Sequence, residues 1–151
     1  KRISYLINTI KNVYDDEFDE NTVGVITPFR AQCSEIMYYI PEELRDQITV
    51  DTVERFQGSE REIIIVSFAV NYKFLINNIQ SVEEIDGILV DRKLNVAVTR
   101  ARQRLILLGN PEIMHQSEIY SSLITHIKDV GGYVDSGEFE SLMRIKEEKI
   151  S

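Results

Sequence analysis

Residues 50–68 read VDTVERFQGSEREIIIVSF. The stretch opens on apolar residues, turns polar around Gly58, and ends on Ile63, Ile64, Ile65 and Val66 with no polar interruption. A branched apolar run of this kind suits a strand covered on both faces, as in a parallel sheet with helices on either side. Residues 63–70 are therefore predicted as one strand and 48–53, ITVDTV, as another. Between them lies a polar loop, Gln57, Gly58, Ser59 and Glu60.

The surrounding sequence extends the pattern. Upstream, TVGVITPF predicts a short buried strand over 23–27, stopped by Pro28, which cannot donate to a ladder. Cys33, Ile36, Met37, Ile40 and Leu44 then follow the helical period over 31–44. Ile3, Leu6, Ile7, Ile10, Val13 and Tyr14 do the same over 3–14, followed by an acidic connection at 15–20. Downstream, residues 71–90 lack strong periodicity and are read as an excursion or flexible loop. DRKLNVAVTRAR, 91–102, is predicted as a helix with Asp91 as its N-cap, and RLILLGN as a fourth buried strand. A further helix carries Ile119, Leu123, Ile124, Ile127 and Val130 and ends at Gly131 and Gly132. Strands alternating with helices indicate a layered α/β domain over 1–134. Residues 135–151 form a charged tail, either a loosely packed helix or a segment that rests on something absent from the chain.

Composition narrows the class. With 43% hydrophobic and 28% charged residues, the 151-residue chain can bury a real core. No apolar run is long enough to suggest a membrane span and no signal core opens the chain, so a cytoplasmic location is expected. One cysteine, Cys33, and two histidines, His115 and His126, offer no zinc spacing, so no metal site is expected. Beginning on Lys1, the chain is expected to be a fragment of something longer. The formal net charge of −8 argues against a broad nucleic-acid surface. Against that background Arg92, Lys93, Arg100, Arg102 and Arg104 form a local basic island.

Three polar interruptions carry candidate chemistry, and in α/β sheets such sites gather at the carboxyl ends of strands. Gly58 lets a backbone approach a ligand closely, with Gln57, Ser59 and Glu60 as donors and acceptors around it; these four residues alone read more readily as an ordinary turn with Gly58 at positive φ. In RKLNVAVTRAR, Leu94, Ala97, Val98 and Ala101 share one helical face and Arg92, Asn95, Thr99 and Arg102 another, with Arg100 between them near the helix end. Arginine's fixed charge suits a transferring phosphoryl group; a solvated basic face is the alternative. TPFRAQ places Thr27, Pro28, Arg30 and Gln32 at a strand end, or simply at a helix start with Thr27 as its cap.

Together, VGVITPFRAQ, TVERFQGSEREIIIVSF and RKLNVAVTRARQRLILLGNP resemble, in order, motifs IV, V and VI of superfamily 1 helicases. Their form is similar to the group containing the nonsense-mediated-decay helicase and the Dna2 nuclease-helicases. The resemblance implies the second, C-terminal RecA-like domain: a P-loop NTPase-type three-layer sandwich with a mainly parallel sheet. It implies ATP and magnesium as cofactors, single-stranded DNA or RNA as the track, and an upstream RecA-like domain of the same protein as partner. It implies that Arg100 is the arginine finger, that Gly58 lies near the phosphates, and that Glu60 contacts the ribose. Gln57 would couple the nucleotide to the strand-binding surface, and Thr27, Pro28 and Thr52 would touch the nucleic-acid backbone. Where some relatives carry a phosphate-contacting arginine after the motif IV glutamine, this chain has Cys33, leaving Arg30 as a substitute. Arg92 and Lys93 stand where an arginine pair is common.

None of the seven glycines precedes a lysine, so the chain has no Walker A loop of its own. The magnesium site is accordingly expected on the upstream domain, and the fragment alone, expected to be monomeric, should hydrolyse little ATP. Two other readings remain: a non-catalytic RecA-like interaction module, favoured by the acidic charge and by Cys33, and a freestanding nucleotide-binding enzyme, which lacks a phosphate loop.

Overall fold

The computed structural model describes residues 1–56, 58–68 and 76–150, without the side chains of 78 and 145–150. Four strands form one parallel sheet: β1 (Val23–Ile26), β2 (Thr49–Asp51), β3 (Arg61–Ser67) and β6 (Ala101–Leu108), in the order β2-β1-β3-β6. The central strands explain the apolar run. Ile63 and Ile65 point into one core with Val23 and Val25, while Ile64 and Val66 point into the other with Ile26. Helices cover both faces, so every residue from Ile63 to Val66 is buried. The chain is an α/β fold with a four-stranded parallel sheet flanked by helices, consistent with a RecA-like domain.

One face is closed by α1 (Arg2–Tyr14) and α2 (Arg30–Tyr39), with Ile7, Ile10 and Ile36 in the core. Val13, at helical spacing with Ile7 and Ile10, is 76% exposed, one residue before the end of α1. The helix predicted over 31–44 ends at Tyr39, because Pro41 drives Ile40 into extended backbone (φ −77°, ψ 133°). Ile40 and Leu44 remain buried through a 3₁₀ turn, Glu42–Gln47, so the apolar period survives the break.

The opposite face carries α4 (Arg92–Thr99), α5 (Pro111–Met114) and α6 (Glu118–Asp129). Asp91 caps α4 as predicted, accepting from the Lys93 and Leu94 amides. Its carboxylate also accepts from Ser81 N at 3.0 Å and from the buried Tyr120 hydroxyl at 3.0 Å. One buried carboxylate thus fastens α4, α6 and the segment before α4 together. Val98, on the apolar face read for α4, and Val130, at the end of the helical stripe read for α6, are exposed.

Residues 76–90, read as an excursion, are ordered elements: α3 (Ile76–Ile79), β4 (Val82–Ile85) and β5 (Ile88–Asp91). The two strands pair antiparallel about Asp86 and Gly87, both at positive φ (52° and 80°) as a two-residue hairpin requires. The Asp-Gly pair was the overlooked signal. Residues 71–75 and the end of the predicted 63–70 strand fall outside the described residues.

The helix predicted to reach 102 stops at Thr99, and β6 begins at Ala101. Pairing wins here: the Arg61 amide donates to the Arg100 carbonyl at 2.9 Å, drawing the chain into the sheet. β6 is an edge strand, half-buried, with Arg102, Gln103 and Arg104 exposed in succession, and not the buried strand expected. The tail is helical, α7 (Ser136–Ile150), and meets α1 through Tyr5 and Phe139, edge to face at 5.5 Å, and an Arg2–Glu140 ion pair at 3.3 Å.

Candidate nucleotide and nucleic-acid sites

Because the sheet is parallel, its two ends are chemically distinct places. Residues after β1 and β2 lie at the carboxyl end, where the Thr27 amide donates to the Asp51 carbonyl at 3.1 Å. Residues before β3 and β6 lie at the amino end, where Arg61 pairs with Ala101. The three polar interruptions therefore do not converge. Gly58 and Glu60 meet the arginines at the amino end, against the carboxyl-end rule, while Thr27, Pro28 and Thr52 gather at the other. Seven residues of β3 separate them, about 20 Å of strand.

Val53 and Phe56 connect the ends by crossing the sheet face within the core. Gly24 makes the crossing possible: a Cβ there would stand 2.5 Å from the tip of the Phe56 ring. The Arg61 guanidinium stacks over the other side of that passage, 5.5 Å from the Phe56 centroid. It donates to the Glu60 carbonyl at 2.8 Å and to Thr49 Oγ1 at 3.0 Å, which pins the backbone beside Glu60. Its Nε is buried and has no hydrogen-bond partner among the described residues.

At the amino end the loop turns at Gly58, exposed and at φ 84°. Gln57 lies outside the described residues. Glu60 Oε2 accepts from Arg102 Nε at 3.1 Å, and Arg102 Nη1 reaches Glu62 at 3.5 Å. These carboxylates raise the Arg102 pKa, the Glu60 hydrogen bond foremost. Arg100 differs. It caps α4, half-buried, and its guanidinium makes two long bonds to its own helix: Nε to Val96 O at 3.4 Å and Nη2 to Thr99 Oγ1 at 3.3 Å. It forms no ion pair among the described residues, so most of its five N–H donors are uncommitted.

The carboxyl end is built from hydroxyls and amides. Thr27 is fully buried, and its hydroxyl bonds to Gln32 Oε1. It is not the cap of α2; that position is Phe29, with no side-chain cap bond. The Thr52 amide donates to its neighbour's Asp51 Oδ1 at 2.8 Å, and Lys93 pairs with Glu54 at 3.3 Å. Arg30 opens α2 at this end and is exposed. Cys33 follows one turn in, half-buried, its thiol pKa raised by burial and then by Asp51.

Sequence reasoning missed Arg61 and Arg102. Both were hidden by assigning 100–102 to a helix, because only the β3–β6 pairing brings Glu60, Arg61 and Arg102 side by side. Among the described residues, no cluster of three His, Cys, Asp or Glu is placed to hold a metal, and no helix is long and apolar enough to cross a membrane.

Comparison with known proteins identifies the family. A family model described as an AAA domain matches residues 1–112. DNA polymerase alpha-associated DNA helicase A of Saccharomyces cerevisiae is 37% identical over 109 residues, covering 71% of this chain and 15% of that protein. The regulator of nonsense transcripts 1 homolog of Arabidopsis thaliana is 36% identical over 114 residues, 71% of this chain and 8% of its own length. The bovine DNA replication ATP-dependent helicase/nuclease DNA2 is 33% identical over 128 residues, 82% of this chain and 11% of its own. The chain thus spans a small part of each relative. It belongs to this AAA-domain family, the C-terminal part of superfamily 1 helicases of the group that includes the nonsense-mediated-decay and Dna2-type helicases.

Proposed function

We propose that this chain is the second motor domain of an ATP-dependent helicase that moves along single-stranded DNA or RNA, with Arg100 as its arginine finger. The observation that carries the reading is the contrast between Arg100 and the two arginines bonded to Glu60. Arg61 is spent on Glu60 and Thr49, and Arg102 on Glu60 and Glu62, while Arg100 is held only by long bonds to its own helix. A guanidinium so placed can swing outward to a triphosphate at little cost.

These residues fit one side of an ATP site. Arg100 offers uncommitted donors, Gly58 presents no side chain to block a close approach, and Glu60 keeps Oε1 without a partner among the described residues. Bound ATP with its magnesium supplies the transferable phosphoryl group, and the preceding domain would supply their phosphate loop and metal ligands. Arg100 then lies against the charge that develops on the transferring group, where a fixed cation lowers the barrier most. Glu60 accepts from the ribose hydroxyls. At the far end, Pro28 and Thr52 contact the strand through its backbone, while Thr27, fully buried and bonded to Gln32, does not reach a strand and instead braces that segment from within; grip so made does not depend on base identity. Residues 52–56 and 58–60 lie between the two ends, and Gln57 is proposed to couple the nucleotide to the strand-binding surface. Domain closure on ATP and reopening on product release would shift the grip stepwise, in the 5′ to 3′ direction by family resemblance.

The test is strand-stimulated ATP hydrolysis by the natural full-length protein containing this chain, with matched DNA and RNA strands. Arg100→Ala should lower kcat by about 10³-fold or more while ATP still binds. Wild-type protein silent with both strands would instead leave the domain as an interaction module.

A further inference from the structure

Glu60 is held by more than its own loop. Its carbonyl accepts from Arg61 and its carboxylate from Arg102, so both its backbone and its side chain are anchored. The Arg102 anchor arises from an irregularity in β6. Between the pairs Arg61–Ala101 and Ile63–Arg104, β3 advances two residues and β6 three. Such a bulge re-aims side chains. Here it leaves Arg102 between Glu60 and Glu62, two carboxylates that share one side of β3. One guanidinium edge serves each: Nε binds Glu60 Oε2 at 3.1 Å and Nη1 approaches Glu62 Oε1 at 3.5 Å.

We propose that Arg102 is a positioning residue for nucleotide recognition: by holding Oε2 of Glu60 it keeps Oε1 turned toward the ribose, and so sets a preference for ribonucleotides over 2′-deoxyribonucleotides. The inference rests on the helicase reading above and deepens it. Stability is a poor rationale for the pair, because both side chains are about half exposed and such ion pairs contribute little to folding. Placement is a better one. Without Arg102, Glu60 and Glu62 face one another as like charges, and Glu60 turns to solvent. A carboxylate kept in place can accept from a ribose hydroxyl without first being ordered. Arg102 also neutralises charge that would otherwise repel the phosphates, while Arg100 beside it forms no ion pair among the described residues.

The experiment uses the same full-length protein, measuring kcat and KM with ATP and with 2′-deoxyATP. Arg102→Ala should raise KM for ATP about tenfold, leave kcat within about twofold, and bring the preference for ATP over 2′-deoxyATP close to unity. Arg102→Lys, a point charge without the fork, should restore part of the preference. Glu62→Gln, which loosens one side of the clamp, should raise KM by about two- to threefold, and it carries the test should Arg102→Ala fail to fold. Unchanged KM and unchanged preference would overturn the proposal. A loss in kcat at constant KM would also overturn it, placing Arg102 on the phosphoryl group instead. Wild-type protein that hydrolyses no ATP with either strand removes the helicase reading itself, an outcome distinct from an active enzyme indifferent to Arg102.

Discussion

The two ends of the sheet differ in the kind of polar group they present. The amino end, before β3 and β6, holds Glu60, Arg61, Glu62, Arg100 and Arg102, full charges on long side chains. The carboxyl end, after β1 and β2, holds Thr27 and Thr52, hydroxyls and amides fixed close to the backbone. Charge suits a triphosphate, whose own charge is concentrated. Short neutral groups suit a sugar-phosphate chain that must be gripped and released repeatedly, since each contact is weak and carries little salt dependence. On the function proposed above, the two tasks would be separated by the length of a strand.

That division can be broken at its charged end first. Arg100→Ala, expected to cost about 10³-fold in kcat, should leave strand affinity nearly unchanged; a matched loss of strand binding would show that the ends are not separate. Next in size is the link between them. Phe56 is buried over Gly24 in the crossing segment, and Phe56→Ala should destabilise the domain by about 3–5 kcal/mol, read by urea unfolding. A smaller value would mean that the crossing collapses into the space without strain.

The hub under α4 comes third. Asp91→Ala removes the acceptor shared by Ser81, Lys93, Leu94 and Tyr120, and should cost about 2–4 kcal/mol. Tyr120→Phe, which leaves the carboxylate its amide donors, should cost about 1–2 kcal/mol. The same hydroxyl makes a pH prediction. Burial, and then Asp91, raise the Tyr120 pKa far above its ordinary value. The folded state therefore keeps a proton that the unfolded chain loses near pH 10. Stability from this group is complete below that pH and declines as pH rises beyond it; Tyr120→Phe should flatten the decline in an alkaline melting series. Smallest is Thr52→Val, which removes one neutral hydrogen bond and should weaken strand binding by about three- to tenfold with no change in salt slope. A changed slope would mean that the carboxyl end binds through charge after all.

Much of this was legible from residues alone where a local rule is strong. The uninterrupted Ile63–Val66 run marks a central parallel strand, and Asp91 before an amphipathic stretch marks a helix start. The failures fall where local rules compete with pairing. Arg102 sits at helical spacing in RKLNVAVTRAR, yet β3 captures the chain at Arg100, so its partners are Glu60 and Glu62. The hairpin at 82–91 was missed because its residues are largely exposed and show no buried period; its Asp-Gly turn was the legible part. Arg30 and Arg100 start from opposite ends of the sheet, because strand direction places residues after β1 away from residues before β6.

The sequence by itself determined the α/β class, the alternation of strands with helices, the identity of the polar segments and, through their resemblance, the family. Periodicity and special residues such as Pro41, Asp91 and the Asp86-Gly87 pair act over a few positions, and that information is local. Only the tertiary structure decided which polar segments meet. Strand order and direction bring Glu60 to Arg102, 42 residues away in sequence, while keeping Thr27 and Thr52 at the other end. Those choices follow from long-range packing and pairing of the whole sheet, which no short stretch of chain encodes.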